Sequence, residues 1–385
     1  MSFEDIKKLD DAYVMHTYGR YNLAIDHGKG AICYDPAGKS YIDFTSGIGV
    51  NSLGFADDGW VAAVTAQLNK LQHISNLYYT EPCVLAAKLI CEKSGMKKVF
   101  FGNSGAEANE GVIKAARKYS FQKYGEGRSK IVALENSFHG RTMAALSATG
   151  QNVYHNFFFP FVDGFVFAKA NDTEDMLSKL TDDVCAVMME LVQGEGGVMP
   201  LEKEYVQAVY AACQKKDILF IVDEVQTGVG RTGTFYSYQQ FGIQPDLVSS
   251  AKGLGGGLPI GEKTQDTLIP GDHGSTFGGN PVVCAGAVEV LNRMDDTFLQ
   301  NVTAKGRHMR EEIEKMPHVT SVAGMGMMLG IELDIDVKPV VTALMENGLL
   351  VLTAKHKMRL LPPLNIAQTE LEKGLSILKN TLAAL

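Results

Sequence analysis

Residues 218–257 read ILFIVDEVQTGVGRTGTFYSYQQFGIQPDLVSSAKGLGGG. The run 218–222 is apolar and rich in β-branched residues, the composition of a strand buried on both faces. It stops at Asp223 and Glu224, so carboxylates stand at its carboxyl end, the edge of an open α/β sheet where ligands collect. A second strand-like run, 246–251, delivers Lys252 straight into Gly253-Leu254-Gly255-Gly256-Gly257. A single lysine is ordinarily a solvated surface charge. One that leaves a buried strand for a glycine turn, with an aspartate ending the preceding strand, is placed for chemistry. The stretch also holds G-x-G-x-x-G at 228–233, the spacing of a dinucleotide-binding turn. Such a turn follows its strand at once and opens an amphipathic helix. Here a mostly polar tail, 223–227, intervenes, and 234–240 is aromatic and polar without helical period, which argues against a dinucleotide site.

Pyridoxal phosphate asks for the pair that remains. It needs a lysine for covalent attachment and an aspartate to keep its pyridine nitrogen protonated, so that the ring can act as an electron sink. Asp223-Glu224-Val225-Gln226-Thr227-Gly228, Gly230-Arg231-Thr232-Gly233 and Ala251-Lys252-Gly253-Leu254-Gly255-Gly256-Gly257 resemble the signature of class III (subgroup II) aminotransferases. The resemblance covers nearly the whole chain. It implies pyridoxal 5'-phosphate as cofactor, with Lys252 carrying it, Asp223 on the ring nitrogen, Val225 on one ring face and Gln226 on the ring hydroxyl. It also implies the aspartate-aminotransferase-like fold (type I): a large domain on a mixed seven-stranded sheet and a smaller α/β domain built from both termini. The boundaries expected are 1–50 for the N-terminal part of the small domain, 51–281 for the large one and 282–385 for the C-terminal part.

Further motifs carry further roles by the same resemblance. Asn103-Ser104-Gly105-Ala106 follows a strand-like run and opens a helical one; amides at a helix N-terminus, backed by the dipole, make a natural phosphate cradle. Gly105 and Ala106 are the implied phosphate donors. Ser275-Thr276-Phe277-Gly278-Gly279-Asn280 resembles a second phosphate element, in which Thr276 reaches the cofactor of the neighbouring subunit and Ser275 borders the substrate. A homodimer with shared sites follows. Ser137-Phe138-His139-Gly140-Arg141-Thr142 implies Phe138 on the other ring face and Arg141 on a substrate carboxylate, which a bidentate guanidinium suits. His139 is expected to be structural. Glu195, in the glycine-rich loop 193–197, and Arg359, in 358–363, resemble a switch pair. Joined while the amino donor is bound, they part for 2-oxoglutarate, because a buried arginine without a partner is costly.

Several segments resemble the acetylornithine branch in particular: 18–21, 47–53, 141–142 with 145–150, and 273–276. The implied reaction moves the δ-amino group of N2-acetylornithine to 2-oxoglutarate. Ornithine, succinylornithine and 4-aminobutyrate stay open as donors, since the cofactor motifs are shared. An aminomutase or racemase on the same fold would have no use for the Glu195–Arg359 pair. Three departures stand out: Phe55 where the family has histidine, Leu191 where it has proline, and a short 261–270 segment.

Composition sets outer bounds. The chain has 385 residues, 45% hydrophobic and 21% charged, ordinary for a globular protein. Its net charge of −8 speaks against nucleic-acid or anionic-membrane binding. Six scattered cysteines without C-x-x-C, and no apolar signal core, lead to an expected cytoplasmic location. The nine histidines show no ligand spacing, so no metal is expected.

Overall fold

The computed structural model describes residues 1–264 and 267–385. Its centre is a seven-stranded sheet built from β4 (Val99–Gly102), β5 (Lys130–Leu134), β6 (Phe165–Ala168), β7 (Val184–Met189), β8 (Leu219–Asp223), β9 (Leu247–Ser250) and β10 (Gly261–Thr264), in the order β4-β10-β9-β8-β7-β5-β6. An antiparallel meander precedes it: β1 (His27–Lys29), β2 (Ile32–Tyr34) and β3 (Ser40–Asp43). Every residue of β8 is buried, as a strand covered on both faces requires, and each wholly buried aliphatic side chain contributes about 1.5–3 kcal/mol. β7 is buried along its full length too. Strands β9, β8, β7, β5 and β6 run parallel.

Alternation of helices and strands predicts a mainly parallel sheet, and β10 is the exception, antiparallel to both β9 and β4. Gly-Glu-Lys-Thr has neither apolar content nor alternation to announce a strand, and pairing on both sides is what makes it one. Glycine at 261 is required by contact: a Cβ there would lie 2.2 Å from the Ser104 carbonyl oxygen. Of the short 261–270 segment, Gln265 and Asp266 lie outside the described residues.

Helix α1 (Phe3–Tyr13) starts at a capping box between Ser2 and Asp5 and buries none of its residues. Helices α2 (Asp58–Leu68), α3 (Glu81–Ser94), α4 (Gly105–Tyr124), α5 (Lys203–Lys216) and α6 (Pro281–Arg293) belong to the middle of the chain. α4 shows why the sequence folds as it does. Ser104 caps it, accepting from the Glu107 amide, while Glu107 returns a carboxylate to the Asn103 amide. Small residues Ala108, Gly111, Ala115 and Ala116 are buried along it, so the helix lies close to the sheet.

The last part of the chain holds a second sheet, β11 (Val319–Met325), β12 (Met328–Leu333), β13 (Leu352–Ala354) and β14 (Lys357–Leu360), in the order β11-β12-β14-β13. Helices α7 (Asp296–Ile313), α8 (Val337–Glu346) and α9 (Gln368–Ala383) accompany it. A single strand is expected over 349–353, but the chain divides there. Leu349–Leu350 pairs parallel with β3, and β13 pairs with β14. The N-terminal meander and the end of the chain therefore share a sheet.

Candidate functional site

The carboxyl ends of β4, β5, β7, β8 and β9 converge on one cavity of about 570 Å³. The sequence-selected residues Gly105, Ala106, Phe138, Arg141, Asp223, Val225, Gln226 and Lys252 all line it, together with Tyr18, Asn109, His139, Glu190 and Pro259.

Asp223 ends β8 and is 2% exposed. Three donors hold its carboxylate. Asn109 Nδ2 and His139 Nδ1 both reach Oδ2 at 2.8 Å, and the Val225 amide donates to Oδ1 at 2.9 Å. Asn109 is itself fixed, donating to the His139 carbonyl at 2.7 Å and accepting from Ser249 Oγ at 2.5 Å. Burial alone would lower the His139 pKa; the hydrogen bond and charge of Asp223, with Glu190 behind it, more than reverse this and raise it. Glu190 is almost fully buried and accepts the Phe138 amide at 2.8 Å. Burial pushes its carboxyl up to about 8, with Asp223 and Glu195 adding to the rise and His139 opposing it.

Lys252 leaves β9 in a left-handed backbone conformation, φ 45°, a strain of roughly 1–3 kcal/mol for a residue other than glycine. Burial draws its ammonium below the ordinary lysine range and Arg359 adds to this, while Glu195, Asp223 and Glu190 oppose it. A lysine eased toward its neutral form is a nucleophile and a proton carrier.

Arg359, on β14, is 3% exposed and reaches Glu195 Oε1 at 2.6 Å and Gln226 Oε1 at 3.1 Å. Gln226 donates back to Glu195 Oε1 at 3.4 Å. Burial would raise the Glu195 carboxyl, but Arg359, joined by Lys252 and Gln226, outweighs it and holds the pKa below the ordinary value. Arg141 is exposed at the cavity mouth, its guanidinium 4.0 Å from the Tyr154 ring centre and 5.5 Å from that of Phe138.

Four selected residues are not on the wall of this cavity. Glu195 and Arg359 are joined to it through Gln226, which does line it, whereas Ser275 and Thr276 stand apart. Ser275 Oγ accepts from Asn103 Nδ2 at 2.9 Å, which ties its loop to the start of α4, and Thr276 is exposed. Sequence reasoning missed Asn109 and Glu190. Asn109 did leave a signal, a lone amide four residues after Gly105 on a helix face otherwise made mostly of apolar residues and glycine.

The residues fit pyridoxal phosphate as a donor set. A buried carboxylate offers an acceptor that a protonated ring nitrogen would need, and a lysine lies on the same wall. Val225 and Phe138 supply apolar surface, and the first amides of a 20-residue helix, which have no partner within the helix, face the same space.

A family model described as aminotransferase class-III matches residues 13–382. An acetylornithine aminotransferase of Haemophilus ducreyi is 53% identical, covering all of both chains. Among solved structures, an ornithine aminotransferase of Toxoplasma gondii, described as having partial occupancy of PLP at its active site, superposes with a TM-score of 0.95. It is 32% identical over 100% of this chain and 94% of its own. An N-acetylornithine aminotransferase of Stenotrophomonas maltophilia gives a TM-score of 0.84 and 32% identity, covering 98% of each chain.

Proposed function

From the premise that the chain belongs to the class-III aminotransferases, we propose that it transfers the δ-amino group of N2-acetylornithine to 2-oxoglutarate, giving N-acetylglutamate 5-semialdehyde and glutamate for arginine biosynthesis. It is a pyridoxal-phosphate-dependent enzyme, and the bound cofactor supplies an electron sink for charge that develops on the substrate carbon. The observation that carries the reading is the convergence of Lys252 and Asp223, from adjacent parallel strands, on one cavity.

Lys252 Nζ would hold the cofactor and, when its amine is free, would take the proton from the donor's amine-bearing carbon in the first half-reaction and deliver one to the carbonyl carbon of 2-oxoglutarate in the second. Asp223 accepts the ring N–H, kept in position by Asn109, His139 and the Val225 amide. Gly105 and Ala106 would offer amides to the phosphate, Gln226 a polar group to the ring hydroxyl, and Val225 and Phe138 apolar surface to the ring. Arg141 takes the α-carboxylate of the amino donor. Glu195 neutralises Arg359 during that half-reaction and yields it to a carboxylate of 2-oxoglutarate in the next. Breaking the existing ion pair needs a carboxylate beyond the one that Arg141 holds, which 2-oxoglutarate has and the amino donor lacks, and this sorts the two substrates.

The reading includes a homodimer in which Thr276 reaches the partner's cofactor and Ser275 borders the substrate. Its support is a cluster of exposed apolar side chains near Thr276: Phe277, and Leu77, Tyr78 and Tyr79, tied in by Asn76 hydrogen bonds to the Ser275 and Gly278 carbonyls. The domain division at 51 and 281 draws support from the sheet shared by β3 and Leu349–Leu350. A cytoplasmic location agrees with six unbridged cysteines. No helix of the described residues is long and apolar enough to cross a membrane.

The test is a spectral titration of the holoenzyme with N2-acetylornithine, ornithine and 4-aminobutyrate, each followed by 2-oxoglutarate. N2-acetylornithine is expected to bleach the cofactor's visible band at the lowest concentration, and 2-oxoglutarate to restore it. Preference for ornithine or 4-aminobutyrate would overturn the substrate while leaving the cofactor site standing. Failure of 2-oxoglutarate to restore the band would overturn the acceptor.

A further inference from the structure

The turn that begins at Lys252 is held from outside by two side chains of one preceding segment. Lys252–Gly255 forms a single 3-10 turn, followed by left-handed Gly256 and Gly257. Ser52 Oγ, 1% exposed, donates to the Gly253 carbonyl at 3.3 Å. Trp60, the only tryptophan of the chain, donates from Nε1 to the Gly255 carbonyl at 3.1 Å. Its indole is wedged between that turn and α6. A Cβ on Gly256 or on Gly286 would each lie 2.8 Å from Trp60 Nε1. Both donors therefore act on alternate carbonyls of the segment that carries a strained lysine, and the indole fills the space that those glycines leave open. Trp60 is positioned in turn: Asp57 caps its helix by accepting the Trp60 amide at 3.1 Å.

We propose that Trp60 and Ser52 are positioning residues for Lys252, fixing the 252–257 turn so that the lysine keeps its left-handed backbone and its amine faces the cavity. The inference rests on the reading of Lys252 as the attachment lysine. A strained conformation persists only when its surroundings over-determine it. Two hydrogen bonds to the alternate carbonyls of Gly253 and Gly255, with Leu254 buried between them, are such surroundings. Neither residue touches the reacting atoms, so their effect must pass through Lys252.

Trp60→Phe keeps the ring and removes the N–H; Ser52→Ala removes the other donor independently. In the holoenzyme, the cofactor's visible band is titrated with pH and the rate of cofactor loss to a scavenger is measured. The melting temperature of the cofactor-free protein serves as the control for folding. Each variant is expected to lose the cofactor about five- to tenfold faster, the equivalent of one net hydrogen bond, and to show a displaced pH midpoint. Wild-type release and midpoint, even with a lower melting temperature, would overturn the inference. If one variant fails to fold, the other decides. Lys252→Ala separates the two levels. A band that survives in it overturns the Lys252 reading and this inference together, whereas unchanged Trp60 and Ser52 variants beside a bandless Lys252→Ala overturn this inference alone.

Discussion

Glu190, His139 and Asp223 crowd two carboxylates and an imidazole into one almost fully buried stretch of the cavity wall, and the sign of their effect on stability follows from where the protons sit. The folded chain holds the Glu190 proton up to about 8 against an ordinary 4.5, so folding takes up a proton over that window. Stability from this group is full at low pH and is lost as the pH rises from about 4.5 through about 8. His139, also raised, works in the same direction, its stabilisation lost above its folded value. Lys252, lowered, works the opposite way at higher pH. The cofactor-free protein is thus expected to melt higher at pH 6 than at pH 8.5, and Glu190→Gln to flatten that difference. A slope unchanged in the variant would assign it to other groups. Arg359 offers a kinetic counterpart. Arg359→Leu is expected to raise KM for 2-oxoglutarate by about 10–100-fold, as truncating one partner of a buried charge pair does, with a smaller effect on the half-reaction with the amino donor. Equal losses in both half-reactions would remove Arg359 from the switch.

Among elements, the loop 275–279 is locked to the start of α4 by contacts with no slack. A Cβ on Gly278 would sit 2.0 Å from the Phe101 carbonyl oxygen, and the Gly278 amide donates to Ser275 Oγ, which accepts from Asn103 in turn. Gly278→Ala must push the loop off β4, at about 1–3 kcal/mol. A lower melting temperature together with weaker cofactor retention checks this, and wild-type retention would uncouple the loop from the site. This linkage was not legible in the chain, where 101 and 278 are far apart and nothing in either neighbourhood names the other. What was legible is physically consistent: β8, β9 and α4 announce themselves by apolar runs, an acid or lysine at a strand end, and a serine cap. β10 does not, because four mostly polar residues become a strand only between two partners. The division of 349–353 between two sheets depends on β3, some three hundred residues earlier. Asp223 and Lys252 could be named because chemistry needs them at strand ends. Trp60 and Ser52 could not, since their only sequence trace is a lone indole and a serine in segments without chemistry of their own.

At the scale of the whole molecule, the cavity of one chain is furnished by residues from 18 to 260, yet the Ser275-Thr276 element faces elsewhere. Thr276 is exposed, with Phe277 61% exposed and Tyr79 fully exposed nearby, a surface that a second copy would cover. If each site takes Thr276 from its partner, two inactive variants should rescue one another. Lys252→Ala removes the attachment lysine from its own chain's site. Thr276→Glu brings a negative charge to the phosphate of the other chain's site, where like charge repels. In a mixed dimer one site suffers both changes, while the other has an intact Lys252 and an intact Thr276. Dissociating and reassociating equal amounts is then expected to restore about a quarter of the wild-type activity, from half the dimers with one working site each. Sites completed within one chain would give no recovery, because every mixed dimer would carry one defect in each site. Thr276→Glu active by itself would take Thr276 out of the phosphate site altogether. The recovered fraction thus reads the path of the chain between subunits directly, through which defects fall in the same site and which do not.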